Sequence, residues 1–252
     1  MRSDVHFTAI AKAFETDIYG TSKGYIRWHV LWQDLLAALP QINKGGLRVL
    51  DAGGGAGRMA IALAKLGNHV TLCEPSEQML EQAQHTAISE NLTNITFINN
   101  PLQAFTTEKP FDIILNHAVL EWLAEPKTAL EHLVKQLQPN GYLSLMFYNR
   151  SAVLLKNILK GDFSLETADE NVPTRGWGEE CKALYPETVQ AWLNEFGMRV
   201  RSKAGIRIFH DHITQNLREG KLEQLLSTEQ SLRRQEPFAS LGQHVHFVCQ
   251  KQ

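Results

Sequence analysis

Apolar positions along the chain change from one repeating pattern to another near residue 46. Before that point, residues 5–18 and 24–39 have apolar residues at helical spacing, separated by the polar sequence YGTSKG. After it, short β-rich runs alternate with amphipathic helical segments. The predicted strands cover 47–52, 69–74, 95–99, 111–117 and 142–149, and the predicted helices between them cover 57–66, 76–89 and 126–138. Strands separated by single helices indicate right-handed crossovers and a parallel sheet, which binds ligands at the carboxyl ends of its strands.

This alternation is interrupted over residues 150–185. The stretch GDFSLETADENVPTRGWGEE is acidic and rich in turn residues, so we predict a loop or lid after the fifth strand. Beyond it the sequence predicts a helix at 186–196, a strand at 198–205, a helical region at 212–234 and a final strand at 242–250. The pattern as a whole favours one α/β domain with an N-terminal helical cap.

Composition adds a few constraints. The 252 residues carry a net charge of −2 at pH 7 and a pI near 6.6, so a polyanion would have to be held by a local basic patch. Three cysteines occur without a CxxC pair, which disfavours disulfides and a zinc site and fits a reducing compartment. The sequence has no signal-peptide pattern and no apolar run of about 18 residues. We therefore predict a cytoplasmic protein with no membrane partner and no metal.

The sequence LDAGGGAG, residues 50–57, closes the first predicted strand. It is not a triphosphate-binding P-loop, because Arg-Met follows where a Lys-Ser/Thr pair is required. It also departs from the dinucleotide spacing G-x-G-x-x-G, since its third glycine comes one position early. Asp51 followed by G-x-G-x-G resembles the class I methyltransferases that use S-adenosyl-L-methionine (SAM). The alternative is that the glycines only allow a helix to pack closely on the strand.

Polar residues at the ends of the next strands extend this hypothesis. Glu74 follows the second strand, where a carboxylate can accept hydrogen bonds from ribose hydroxyls, although NAD-binding proteins share that feature. In NNPLQAF after the third strand, Leu102 would cover an adenine ring and Gln103 would pair with its edge. His117 ends the fourth strand and would face the methionyl part of SAM. A solvated glutamate, an ordinary loop and a structural histidine are the respective alternatives.

Six stretches together resemble one family more closely than methyltransferases in general, namely the bacterial tRNA 5-carboxymethoxyuridine methyltransferases. The resemblance covers residues 6–250 and is carried by IYGTSKGYIRWHVLWQDL, VLDAGGGAG, HAVLEWLAEP, LSLMFYN, IRIFHDH and RQEPF. It implies a Rossmann-like α/β fold with a mainly parallel seven-stranded sheet and helices on both faces. It divides the single domain, 1–252, into the cap (1–45), a SAM-binding half (46–149) and a substrate-side half (150–252).

The same resemblance implies the cofactor, the reaction and the site residues. The enzyme would transfer a methyl group from SAM to the carboxylate of 5-carboxymethoxyuridine at the tRNA wobble position, leaving the methyl ester and S-adenosyl-L-homocysteine. Its partner would be the anticodon region of tRNA. The family's SAM contacts match Arg27, Gly53, Gly54, Glu74, Leu102, Gln103 and His117.

A carboxylate acceptor also shapes what the site must contain. Its unperturbed pKa is about 4, so it is ionised at neutral pH and no catalytic base is predicted. Arginine matches a carboxylate bidentately, and the candidates for binding it, chosen by their place at strand ends, are Tyr148, Asn149, Arg150, Arg201 and Arg207.

The sequence alone allows more than one interpretation of the RNA contacts and of the substrate. The segment 162–182 is mainly acidic, so the basic residues of MRVRSKAGIR and the pair Arg233-Arg234 either meet RNA or form a solvated basic edge. The main alternative function is a SAM-dependent methyltransferase for a small molecule. A non-catalytic SAM- or RNA-binding adaptor is a further one, and an NAD oxidoreductase is disfavoured by the glycine spacing.

Overall fold

The computed structural model describes residue 4 and residues 20–164, 168–169, 172–176 and 179–252. The helix predicted at 5–18 lies outside the described residues. Nine strands are present in this part of the chain: β1 Arg48–Ala52, β2 His69–Cys73, β3 Ile95–Ile98, β4 Phe111–His117, β5 Leu137–Tyr148, β6 Thr174–Gly176, β7 Glu179–Cys181, β8 Met198–Ile206 and β9 His244–Lys251.

Seven of these strands form one sheet in the order β3-β2-β1-β4-β5-β9-β8. The first five pair in parallel, with Val49 of β1 opposite Val70 and Ile113. Strand β9 is antiparallel to both β5 and β8. The predicted Rossmann-like, mainly parallel seven-stranded sheet is thereby confirmed, while β6 and β7 pair separately as a two-stranded ribbon.

Helices cover the sheet on both faces, because side chains of successive strand residues point to opposite sides. Leu50 belongs to one buried cluster and Val49 to the other. The described helices are α1 Ser22–Ala38, α2 Arg58–Lys65, α3 Glu77–Ser89, α4 Pro126–Lys135, α5 Arg150–Leu159, α6 Pro186–Glu195, α7 Gln215–Gly220, α8 Leu222–Leu232 and α9 Phe238–Leu241. No helix among the described residues is long and apolar enough to cross a membrane.

The structure corrects three predicted elements. The segment after β5 does not begin as a loop: the Asn149 side chain accepts a hydrogen bond from the Ser151 amide and caps α5. The helix predicted to reach residue 138 ends at Lys135, because Leu137 already pairs with Phe111 in the sheet. The helical region 212–234 is divided between α7 and α8.

Candidate active site

A cavity of about 400 Å³ opens at the edge of the sheet where β1, β2, β4 and β5 end. The glycine-rich loop 53–56 forms one part of its wall, and α1 contributes Lys23 and Arg27. All seven residues predicted to contact SAM line this single cavity: Arg27, Gly53, Gly54, Glu74, Leu102, Gln103 and His117. The chain therefore brings the predicted residues together, from five separate segments.

The glycine-rich loop leaves no room for a side chain at its first two residues, Gly53 and Gly54. A Cβ on Gly54 would lie 2.4 Å from Leu72 Cδ1 and 2.5 Å from Asp51 Cγ, well inside van der Waals contact. Gly53 has a φ of 75°, in the left-handed region that favours glycine, and its amide donates to the Cys73 carbonyl at 2.8 Å. The loop is thus fixed with its backbone against the cavity.

Glu74 ties this loop to the end of β2. One carboxylate oxygen accepts from the Gly55 amide at 3.0 Å, and the other accepts from the Ser76 amide at 2.9 Å. The side chain is buried and lines the cavity. Glu74 is therefore held by backbone donors while it faces the space in which a ligand would lie.

Two further carboxyl groups, Asp51 and Glu121, lie buried in the wall of the cavity. Burial raises the pKa of each to about 7, and the neighbouring charge of Glu74 adds to the effect on Asp51. Asp51 Oδ2 and Glu121 Oε2 have no hydrogen-bond partner among the described residues. Asp51 thus offers an unused acceptor beside the glycine-rich loop, and Glu121 offers a second one close to Tyr148 and Arg27. Glu121 was not predicted from the sequence.

The cavity wall after β3 is closed by a residue far away in sequence. Leu102 is buried, and Gln103 Nε2 donates to Asp4 Oδ2 at 2.9 Å. The other oxygen of Asp4 accepts from the Ala124 amide at 2.6 Å. Asp4 also lines the cavity, so its carboxylate lies at the place predicted for adenine recognition.

His117 is the last of four side chains that are joined by hydrogen bonds in the protein interior. Its Nε2 lies 2.8 Å from Ser144 Oγ, which lies 2.8 Å from His246 Nε2. His246 Nδ1 in turn lies 2.8 Å from Asp34 Oδ2 on α1. Burial, followed by the charges of His246 and Arg27, holds the pKa of His117 well below its ordinary value. His117 therefore remains a neutral ring with a fixed orientation in the cavity wall.

Basic side chains gather around Arg207 in the same cavity. Lys23, Arg27, Lys156 and Arg207 all line it, together with the carboxylate of Asp211. Arg207 is buried and forms an ion pair with Asp211. Burial, and then the charge of Arg207, lowers the pKa of Lys23. One cavity thus contains the carboxyl groups of Asp51 and Glu74 at the glycine-rich loop and a basic region around Arg207, which follows β8.

The five candidates for carboxylate binding are divided by the structure. Tyr148 and Arg207 line the cavity, whereas Asn149, Arg150 and Arg201 do not. Asn149 donates to the carbonyls of Ser240 and Gly242, and fully buried Arg150 donates to those of Ala183 and Val172. Arg201 is exposed and donates to Gln250 at 3.1 Å. These three are corrected to structural or surface positions, because lying near a strand end does not fix a side chain's direction.

Fold and cavity together define the class of the protein as a Rossmann-like methyltransferase of the SAM-dependent type. Residues 43–197 match the family model described as a methyltransferase domain. The structure also superposes on magnesium protoporphyrin IX methyltransferase from Synechocystis PCC 6803 with bound S-adenosylhomocysteine, with a TM-score of 0.67 and 18% identity. That superposition covers 98% of this chain and 96% of the other.

A curated relative narrows the class. The chain is 39% identical to the tRNA 5-carboxymethoxyuridine methyltransferase of Escherichia coli strain K12, over 98% of this chain and 97% of that enzyme. It is 29% identical to the ubiquinone biosynthesis O-methyltransferase of Maricaulis maris, over 64% of this chain and 62% of that enzyme. The chain therefore belongs to the tRNA 5-carboxymethoxyuridine methyltransferase family.

Proposed function

We propose that this protein transfers a methyl group from SAM to the carboxylate of 5-carboxymethoxyuridine at the wobble position of tRNA. The observation that carries the proposal is a cavity that contains Asp51 and Glu74 at the glycine-rich loop and also basic groups around Arg207. A cationic methyl donor suits the first region and an anionic acceptor suits the second. The E. coli relative, whose name states that it methylates 5-carboxymethoxyuridine in tRNA, supports the same substrate.

The residues around the glycine-rich loop fit SAM chemically. The backbone of Gly53 and Gly54 would meet the methionyl and ribose parts, and Glu74 would accept from the ribose hydroxyls. Leu102 and Gln103 would contact the adenine, and Arg27 would pair with the carboxylate of the methionyl group. His117 would lie beside that group as a neutral, oriented ring. The unused oxygens of Asp51 and Glu121 are suited to ammonium and sulfonium charge.

The remaining chemistry requires positioning rather than proton transfer. When bound, SAM supplies a methyl carbon that bonds to a carboxylate oxygen as the carbon–sulfur bond breaks, with its electron pair left on sulfur. The acceptor is already ionised, so no side chain has to remove a proton. The protein has to align the acceptor and exclude water. Such positioning can lower the activation barrier by up to about 7–11 kcal/mol. Tyr148 and Arg207 line the cavity and are suited to bind the acceptor.

The two carboxyl groups with raised pKa values make SAM affinity sensitive to pH. Asp51 and Glu121 have pKa values of about 7, so they lose protons as the pH rises through neutrality. A cation favours the ionised forms, so binding releases protons and the affinity for SAM should rise by up to about tenfold between pH 6 and pH 8. Titration calorimetry in two buffers of different ionisation enthalpy measures both the affinity and the released protons. S-adenosylhomocysteine, which lacks the sulfonium charge, should show a smaller rise; equal or falling SAM affinity with pH would contradict this assignment.

The substrate is tested by nucleoside analysis in cells. In a strain from which the gene for this protein is deleted, mass spectrometry of wobble nucleosides should show free 5-carboxymethoxyuridine in place of its methyl ester. Complementation with the wild-type chain should restore the ester. An unchanged nucleoside profile would contradict the proposal. Methyl transfer to a small carboxylic acid but not to tRNA would favour a small-molecule methyltransferase instead.

A further inference from the structure

Three buried nitrogen atoms in the basic region of the cavity have no hydrogen-bond partner among the described residues. They are Arg207 Nε, Gln243 Nε2 and His244 Nδ1. The three residues are only 6%, 3% and 6% exposed, and all of them line the cavity. A buried polar group without a partner is destabilising, so three of them in neighbouring residues indicate a ligand that completes them.

The fold brings these residues together by a close approach of two strands. Strand β9 is antiparallel to β5 and β8, so its first residue lies at the edge where those strands end, with His244 opposite both Tyr148 and Ile206. A Cβ on Gly242 would lie 2.6 Å from Gly205 Cα, so only glycine permits this spacing. The backbone N–H of Gln243 then donates to the backbone carbonyl of Arg207 at 3.0 Å.

Arg207 itself is held in an unfavourable backbone conformation. Its φ of 60° is left-handed, which is uncommon for a residue with a long side chain and is typical of functional positions. One terminal nitrogen of its guanidinium is paired with Asp211, while Nε remains unused. The Asp211 carboxylate also accepts from His210 Nδ1 at 2.9 Å. Arg207 is therefore oriented and partly neutralised without using its full hydrogen-bonding capacity.

The surrounding charge selects an anion. Lys23, Arg27 and Lys156 line the same cavity, and burial together with the charges of Arg207 and Arg27 keeps the pKa of His244 well below its ordinary value. His244 is therefore neutral, and its one ring N–H can stand at Nδ1, while Gln243 offers an amide N–H. Two of the three donors are thus uncharged, and the charge of the third, Arg207, is partly balanced by Asp211, so an anion is bound without a strong loss of nucleophilicity.

We propose that Arg207, Gln243 and His244 form the subsite that binds the carboxylate of the acceptor nucleotide and distinguishes this acid from its methyl ester. The inference rests on the proposed function and goes beyond it by assigning the discriminating residues. Esterification removes the negative charge and turns one acceptor oxygen into a methoxy group, so the product binds the same donors less well. The subsite thereby favours substrate binding and product release.

The test uses the full-length protein and a synthetic anticodon stem-loop RNA that carries either the acid or the methyl ester at the wobble position. With S-adenosylhomocysteine present, wild-type protein should bind the acid RNA at least about tenfold more tightly than the ester RNA. Gln243→Glu places a second anion in the subsite and should weaken acid binding by about 10- to 100-fold. Gln243→Met removes the donor without adding charge and should cause a smaller loss. Both variants should retain wild-type affinity for S-adenosylhomocysteine, which by the proposed function binds at the glycine-rich loop.

Gln224→Glu is the matched control, because it makes the same charge change at an exposed position of α8 that does not line the cavity. It should bind both RNAs as the wild type does. If wild-type protein methylates the acid RNA but both Gln243 variants bind it with unchanged affinity, the subsite is wrong and the proposed function stands. If wild-type protein binds S-adenosylhomocysteine but methylates no acid RNA, the proposed function itself fails and the subsite with it.

Discussion

Replacement of Gly54 by valine should lower the affinity for SAM by at least about 100-fold. The new Cβ would lie 2.4 Å from Leu72 Cδ1 and 2.5 Å from Asp51 Cγ, and both of these side chains are buried. Because both side chains are packed in the fold, either they or the loop backbone must shift at the wall of the cavity. Displacements of about 1 Å at such a site reduce function about 100-fold. Titration calorimetry with S-adenosylhomocysteine measures the loss directly.

Gly220→Val is the control for this change. A Cβ on Gly220 meets no atom within 4 Å, and the residue ends α7 away from the cavity, so binding should be unchanged. Circular dichroism establishes that the Gly54 variant is folded before its affinity is interpreted. A folded Gly54→Val protein that binds S-adenosylhomocysteine normally would show that the loop is not the cofactor contact.

Replacement of Asp34 by alanine should lower the free energy of unfolding by about 3–5 kcal/mol, because it leaves buried His246 and partly buried Arg233 without their acceptor. Asp34 is fully buried and accepts from His246 Nδ1 at 2.8 Å, from Arg233 Nε at 2.9 Å and from Arg234 Nε at 2.7 Å. These contacts join α1 to β9 and to the residues that follow α8. Chemical denaturation followed by fluorescence measures the change.

The same carboxylate gives the stability a defined pH dependence. Burial alone would raise the pKa of Asp34, but its hydrogen bond and charge interaction with His246, together with Arg234, lower it below the ordinary value. A lowered native pKa stabilises the fold above the unfolded value of about 4, and this contribution is lost as the pH falls below it. The Asp34 variant should lack that part of the acid dependence.

Glu131→Ala provides the comparison for Asp34→Ala. Glu131 forms an exposed pair with Lys135 at 2.7 Å, and its loss should change the free energy of unfolding by less than about 0.5 kcal/mol. Equal effects of the two substitutions would contradict the importance assigned to the buried network. Asp34→Asn, which keeps the size of the side chain, separates the loss of charge from the loss of packing.

Strand positions and the cofactor side of the cavity could be predicted from the sequence. Alternation of short apolar runs with helices located β1 to β4 to within a residue or two, because each of these strands is bounded by turns. The rule that ligands meet the carboxyl ends of parallel strands then placed Glu74 and His117 at one edge. Arg27 came only from the family resemblance, since helical spacing gives no reason to direct an arginine of α1 into the cavity.

The substrate side could not be predicted in the same way. Gln243 and His244 lie at the N-terminal end of the antiparallel strand β9. The rule that ligands bind at the carboxyl ends of parallel strands does not cover this position. Arg150 was assigned by its place after β5, yet α5 starts there and turns its guanidinium to the carbonyls of Ala183 and Val172. Glu121 was missed because an acid next to apolar residues has no recognisable pattern before the fold is known.

The most direct test of the central claim is methyl transfer by the purified protein to tRNA that carries 5-carboxymethoxyuridine, with isotope-labelled SAM as donor. Nucleoside mass spectrometry should show the labelled methyl group on the wobble nucleoside, and mild alkali should release it, as expected of an ester. Transcribed tRNA without the carboxymethoxy group should receive no label. Label on any other nucleoside, or none on tRNA while SAM is bound normally, would contradict the account.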